Sequence, residues 1–286
     1  MTPELYITYK GILFPSMRST VETLNYVENE FQLLDEDILL VTYPKSGTVW
    51  MLEILGLIQH SGDPSWVHST VVWERAPWIN TNLGLELALK YPPPRLLTTH
   101  LPFQISPKSL LHSEAKVIYT LRNPKDVLIS YYHFAKLYDG LKDPGTVEEF
   151  LEEFLSGNVP IGSWFDHVKG WLEMKDRSNF FFITYEELQK DLRGSVEKIC
   201  HFLGKEINRQ QIDAVVENAS FQKMKDNKMS NFSNLPDAHF NHKEGKFMRK
   251  GICEDWKNHL TVKQSKHFDC VYQEKMKDVN VAFPWG

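Results

Sequence analysis

Apolar residues along the chain fall into short unbroken runs separated by stretches with helical spacing. Residues 37–41 (DILLV) form one such run, end in the turn-like TYPKSG, and lead into WMLEILGLI at 50–58, where apolar positions recur at helical intervals. That order predicts strand, loop, helix. Residues 116–121 (KVIYTL) repeat it, passing through Arg122, Asn123 and Pro124 into a helix from about Lys125. Further strands are expected at 95–99 (RLLTT) and 179–184 (NFFFIT), and helices at 146–155, 163–174, 185–203 and 209–218. Apolar runs buried on both faces and interleaved with helices imply an α/β fold with a mostly parallel central sheet flanked by helices. Residues 230–246 are polar, contain Pro236 and scattered histidines, and show no period, so a long lid-like loop is expected there. No repeat or linker divides the 286 residues, and 1–286 reads as a single domain.

Composition narrows the function classes. With 42% hydrophobic and 24% charged residues the chain is ordinary for a soluble globular protein, neither disordered nor collagen-like. Thirty-two basic against 37 acidic residues leave a formal charge of -5, so no global positive field exists to hold nucleic acid. Any polyanion must be met by a local pocket. The start, MTPELYITYK, lacks the basic and apolar regions of a secretory signal, and nothing downstream approaches the ~18 apolar residues of a membrane span. Cys200, Cys253 and Cys270 are an odd, widely spaced set without a C-x-x-C pair, which argues against a disulfide framework or a zinc site. A cytoplasmic, reducing location is expected.

Residues 42–50 (TYPKSGTVW) put Lys45, Ser46, Gly47 and Thr48 between a buried strand and a helix. Helix N-terminal N–H groups, a glycine that permits close backbone approach and a full positive charge together make an anion cradle. The plainer alternative is a helix cap in which Ser46 or Thr48 satisfies the first turn and Lys45 is solvated. The nucleoside triphosphatase pattern G-x-x-x-x-G-K-[ST] is absent, because Lys45 precedes the only glycine of the loop.

The same nonamer resembles the 5′-phosphosulfate loop of the cytosolic sulfotransferase family, which uses 3′-phosphoadenosine-5′-phosphosulfate (PAPS). Arg122 and Ser130 in RNPKDVLIS are similar to the family's 3′-phosphate site, and Arg249-Lys250-Gly251 followed by Asp255-Trp256-Lys257 resembles its RKG-x-x-G-x-W-K segment. WERAPW, GSWFDHVKGW, TYEEL and the terminal FPW resemble the hydroxysteroid (alcohol) branch. The resemblance spans nearly the whole chain. It implies that Lys45, Ser46, Gly47, Thr48, Val49 and Trp50 hold the phosphosulfate end of PAPS and of its product, 3′,5′-adenosine bisphosphate (PAP). It further implies that Arg122, Ser130, Arg249, Lys250 and Gly251 hold the 3′-phosphate, with Trp50, Tyr185 and Phe221 around the base. Ser220 follows Ala219, which stands where the family usually has a small hydroxyl residue. Taken singly, these residues have simpler readings: an ion pair of Arg122 with Asp126, a solvated charge run at Arg249-Lys250, and aromatic core packing.

Sulfuryl transfer resembles phosphoryl transfer, in which positioning and electrostatics do most of the work. An alcohol is a weak nucleophile at neutral pH and needs a base; histidine suits that role. His100 ends the strand RLLTT and matches the family's catalytic histidine, while Lys45 is expected to neutralise the departing oxygen. No metal is expected, since His239 and His242 lack a third spaced ligand. The implied acceptor is a small lipophilic alcohol, namely a hydroxysteroid, sterol or bile acid, held in an apolar pocket. Met17, Trp73, Trp78, Phe134, Tyr138 and Phe240 are the lining candidates, each otherwise an ordinary core residue. Thr98 stands where phenol-type members carry lysine, and Glu254 stands where the RKG segment carries its next glycine. Residues 257–262 resemble the family's dimer motif, but Lys266 replaces its final glutamate, so any homodimer is expected to be weakened. The rivals are a sulfotransferase of phenols or amines, a magnesium-dependent kinase, and a non-catalytic nucleotide or lipid carrier.

Overall fold

The structure is a computed structural model that describes residues 4–285. An antiparallel hairpin, β1 (Tyr6–Tyr9) with β2 (Ile12–Pro15), precedes a four-stranded parallel sheet. The sheet contains β3 (Ile38–Thr42), β4 (Leu96–Thr99), β5 (Lys116–Leu121) and β6 (Phe180–Thr184), in the order β4-β3-β5-β6. The chain leaves β3 toward one neighbour and returns after β4 to the other side. In open α/β sheets such a reversal opens a crevice at the carboxyl ends of the strands.

The unbroken apolar runs are two-faced, as a covered parallel sheet requires. Leu39 and Val41 of β3 join Val117 and Tyr119 of β5 in one core, whereas Ile38, Leu40 and Ile118 join the other. The Thr48–Gln59 helix buries nearly every residue in the second core, and the Pro124–Ala135 and Trp164–Leu172 helices pack in the first. Glu53 of the Thr48–Gln59 helix is fully buried and would be costly if unpaired. Arg75 donates to its Oε2 at 2.8 Å, Ser230 Oγ to the same oxygen at 2.6 Å, and Asn227 Nδ2 to Oε1 at 3.0 Å. The foot of the long polar segment is thereby fixed to the helix that begins at the anion loop.

The single helix expected over 185–203 is two helices, Tyr185–Lys190 and Leu192–Leu203. Asp191 takes φ -149° and its side chain accepts the N–H of Gly194, so a new N-cap overrides the continuing apolar spacing. The hairpin and the helices Val21–Asn29, Asn82–Lys90 and Val262–Met276 are additions to the elements read from sequence. Between Asp226 and Asp255 no helix or strand forms; an isolated bridge joins Phe240 to Tyr138. Among the described residues no helix is long and apolar enough to cross a membrane.

Candidate active site

Each parallel strand delivers one component to the same sheet edge. His100 follows β4, the 43–47 loop follows β3, Arg122 follows β5 and Tyr185 follows β6. All face a cavity of about 490 Å³. In the loop Lys45 and Gly47 take positive φ values of 71° and 94°, turning the chain sharply into the Thr48–Gln59 helix. A Cβ on Gly47 would sit 2.8 Å from Cδ2 of Tyr185, so glycine is required for both the turn and the close approach of that ring. Gly251 is under the same constraint, since a Cβ there would meet Phe221 at 2.2 Å. Ser46 Oγ and Arg122 Nε are buried without a hydrogen-bond partner. An unspent guanidinium donor on Arg122, in a cavity that Lys45 also lines, fits an anionic group.

Lys45 Nζ lies 4.1 Å from the ring centre of Phe134 and 4.3 Å from that of Phe247. Burial, then the neighbouring charges of Arg122 and Arg249, lower its pKa to about 7. Arg122 donates Nη1 to the carbonyl of Lys45 at 3.2 Å and Nη2 to that of Ile252 at 3.0 Å, with its guanidinium 4.2 Å from the Tyr185 ring centre. The ion pair considered for it with Asp126 does not form; Asp126 accepts the N–H groups of Glu254 and Trp256 instead. Arg249 and Lys250 are not a free charge run either. They reach Asp255 at 2.7 and 2.6 Å, and Asp255, opposed by its burial, is held well below the usual carboxylate range by hydrogen bonds from Lys250, Asn258 and Arg249.

His100 is oriented at four points. Nδ1 lies 2.8 Å from the carbonyl oxygen of Thr42, and Nε2 lies 3.0 Å from Nε1 of Trp78. An indole nitrogen only donates and a carbonyl only accepts, so the proton sits on Nδ1 and the Nε2 lone pair faces Trp78. The backbone N–H of His100 donates to Asn80 Oδ1 at 3.2 Å, and its carbonyl accepts from His167 Nε2 at 3.2 Å. Tyr119 OH completes this support at 2.9 Å from His167 Nδ1. Burial, aided by Lys45, lowers the His100 pKa to about 4, although the Thr42 bond works against the shift. The imidazole is therefore neutral at pH 7.

Lys45, Gly47, Thr48, Val49, Trp50, Arg122, Ser130, Tyr185, Ser220, Phe221, Arg249, Lys250 and Gly251 line the cavity with His100. Ser46 lies in the loop with its hydroxyl behind the wall. Trp50 donates Nε1 to the carbonyl of Ala219, so the backbone at that position holds the ring that the loop presents. Trp73, Trp78, Phe134 and Tyr138 also line the cavity, but two expected wall residues do not. Met17 is 50% exposed, its side chain turned to solvent, while buried Ser19 and exposed Arg18 line the cavity. Phe240 is buried behind the wall by its bridge to Tyr138 and its packing on Phe134 and His242. Asn80, Phe247, Gln189 and the supporting His167 were not singled out from sequence. Gln189 joins Tyr185 OH to the carbonyl of Gly251, closing that side of the cavity.

The strand ends thus bring a cationic loop, an arginine fork and a neutral imidazole to one cavity, an arrangement that can hold a polyanion beside a base. The sulfotransferase domain family matches residues 35–280. Sulfotransferase 2B1 of Homo sapiens is 50% identical over 99% of this chain and 77% of its own length. The 3-beta-hydroxysteroid sulfotransferase of Cavia porcellus is 48% identical over 97% of this chain and 96% of its own. Among solved structures, mouse sulfotransferase SULT7A1 complexed with PAP superposes with a TM-score of 0.82 at 33% identity, covering 97% of this chain and 96% of that one. The chain belongs to the sulfotransferase family, and it is a sulfotransferase.

Proposed function

We propose that the chain transfers a sulfuryl group from PAPS to the hydroxyl of a small lipophilic acceptor of the hydroxysteroid class. The observation that carries this reading is a neutral imidazole, with Nε2 as its accepting atom, in one cavity with the cations Lys45 and Arg122. When bound, PAPS supplies a sulfuryl group already joined to a phosphate leaving group. Lys45 and the N–H groups of residues 47–50 would hold that end, and Lys45 would offset the charge left on the bridging oxygen. Arg122, Ser130, Arg249, Lys250 and Gly251 would hold the 3′-phosphate, and Trp50, Tyr185, Ser220 and Phe221 the base.

His100 keeps its Nδ1 proton on the Thr42 carbonyl and takes the acceptor's hydroxyl proton at Nε2. The hydroxyl must first displace the indole N–H of Trp78 from that lone pair. Trp73, Trp78, Phe134 and Tyr138 offer the apolar wall a steroid body needs, and the name of the guinea-pig relative supports an alcohol of that class. We place the enzyme in the cytosol. A homodimer through residues 257–266 is expected to be weak because Lys266 reverses the sign of the motif's last residue. Turnover of a panel of hydroxysteroids, bile acids, phenols and amines with PAPS, in the presence of a chelator, tests the reading. Sulfation of a steroid hydroxyl without magnesium supports it, and no sulfated product from any member of the panel would sink it.

A further inference from the structure

The phrase GSWFDHVKGW at 162–171 puts no residue in the cavity wall, yet it touches both the base and the anion loop from behind. His100 and Leu101 lie just beyond β4, and each of their four backbone polar groups meets a side chain. Asn80 Oδ1 accepts the His100 N–H at 3.2 Å, and Thr99 Oγ1 accepts the Leu101 N–H at 3.1 Å. One helix supplies both carbonyl partners. His167 Nε2 donates to the His100 carbonyl at 3.2 Å, and Trp171 Nε1 donates to the Leu101 carbonyl at 2.9 Å. Residues four apart lie on one helix face, so successive carbonyls receive successive rungs. The helix comes this close because residue 170 is glycine, where a Cβ would fall 3.1 Å from Cβ of Phe103.

The first rung has a defined proton. A carbonyl only accepts, so His167 carries its proton on Nε2, and Nδ1 accepts from Tyr119 OH at 2.9 Å. His167, Trp171 and Tyr119 are all fully buried, and burial lowers the His167 pKa to about 3, so the ring acts as a neutral strut. At the other end of the phrase the Gly162 carbonyl accepts from Tyr43 OH at 2.8 Å, and Tyr43 is the first residue of the 43–47 loop. The Tyr43 ring also meets His167 edge-on at 5.5 Å between centres. Trp285 of the terminal FPW backs Trp164 at 6.5 Å and is held by the Tyr272 hydroxyl at 3.1 Å. Apolar packing alone calls for no imidazole here, since a buried one costs unless its nitrogens are satisfied. We infer that residues 162–171 are a gauge that sets the separation of the His100 imidazole from the Lys45 loop, with His167 and Trp171 as positioning residues. This assignment rests on the reading of His100 as the base.

The test places His167→Phe, His167→Gln and Tyr119→Phe each in the wild type and in His100→Ala. With His100 present, His167→Phe should lower kcat by about tenfold, the scale of a misplaced reacting group, and leave PAP affinity within about twofold. His167→Gln keeps an N–H donor and should recover most of that loss. Tyr119→Phe removes only the hydroxyl that fixes the tautomer, so it should fold and lower kcat by about threefold. In His100→Ala none of the three should change the residual rate by more than about twofold. Equal falls in both backgrounds, a matching fall in PAP affinity, or an unchanged kcat in the wild-type background overturns the assignment. A second readout needs no turnover. The Trp78 indole N–H donates to His100 Nε2, so its resonance in nitrogen-labelled enzyme, identified by its loss in Trp78→Phe, should move in His167→Phe and Tyr119→Phe. A resonance that stays in place also overturns the assignment. Movement without any sulfated product from the wild type would count against the transfer reading alone.

Discussion

The two halves of the cavity are built by different means. On the sheet-edge side the base and the cations follow parallel strands or are tied to a buried acid. His100, Arg122 and Tyr185 follow β4, β5 and β6, Lys45 lies just past β3, and Arg249 and Lys250 converge on Asp255. On the acceptor side Arg18, Trp73, Trp78 and Tyr138 come from turns and short segments outside the sheet. Chemistry demands placement to about half an ångström, which hydrogen-bonded strand ends supply. Recognition of an apolar body tolerates loops, which can change without disturbing the reacting centre.

The sharpest way to break that division is His100→Ala. We expect kcat to fall by about 10³-fold or more while PAP affinity stays within about twofold, measured by steady-state kinetics and calorimetry. An equal fall in PAP binding would show that the base is part of the donor half's framework. Lys45 carries the next largest effect, a loss of about 10²-fold in turnover for Lys45→Ala together with weaker PAP binding. Its pKa gives a second signature. With a free-enzyme pKa of about 7, caused first by burial and then by Arg122 and Arg249, Lys45 is mostly neutral above pH 7. A bound polyanion favours the charged form, so PAP binding should take up about one proton at pH 8–9, and affinity should fall as pH rises through 7. Calorimetry in buffers of different ionisation enthalpy measures the uptake; none at pH 8–9 would refute the assignment.

Smaller effects belong to the periphery. Trp78→Phe keeps an aromatic face, though a smaller one, and removes the N–H that covers Nε2, so acceptor KM should drop by a few-fold, the worth of one net hydrogen bond. An unchanged or raised KM would mean that the indole holds the acceptor more than it blocks the base. Glu254 takes φ 62°, a left-handed conformation that glycine adopts freely, and its carboxylate is engaged by Lys257 at 2.7 Å. Glu254→Gly should stabilise the fold by roughly 0.5–1 kcal/mol with little change in donor affinity, read from thermal or urea unfolding. A large gain in PAP affinity would instead make Glu254 an electrostatic brake on the donor half.

The cationic side of the candidate site was largely legible in sequence because its logic is local. A buried run, a glycine-bearing cationic turn and a helix occur in one stretch, and the RNP and RKG segments carry their own charges. His100 was legible only through its family resemblance, since one histidine among eleven has no local mark. Its supports were hidden for a different reason. His167 meets the His100 carbonyl from 67 residues away and Asn80 from 20, on helices and turns whose patterns signal packing alone. The acceptor wall was partly misread at Met17 and Phe240 because an apolar residue near a cavity can face solvent or the core equally well. Arg18 lines the cavity where methionine was expected, although it stays exposed.

The stretch from Asn227 to Asp255 is fastened at both ends. Asn227 and Ser230 grip Glu53 beside Arg75, on the helix that springs from the phosphosulfate-type loop. At the other end Arg249 and Lys250 grip Asp255, next to the Asp126 carboxylate that pins the Glu254 and Trp256 amides. Between these two piers it is stitched again at mid-span, where Phe240 bridges Tyr138 and the Asn241 N–H donates to the Leu137 carbonyl at 2.7 Å. A change in Tyr138 would therefore be felt along the strap as well as in the cavity wall.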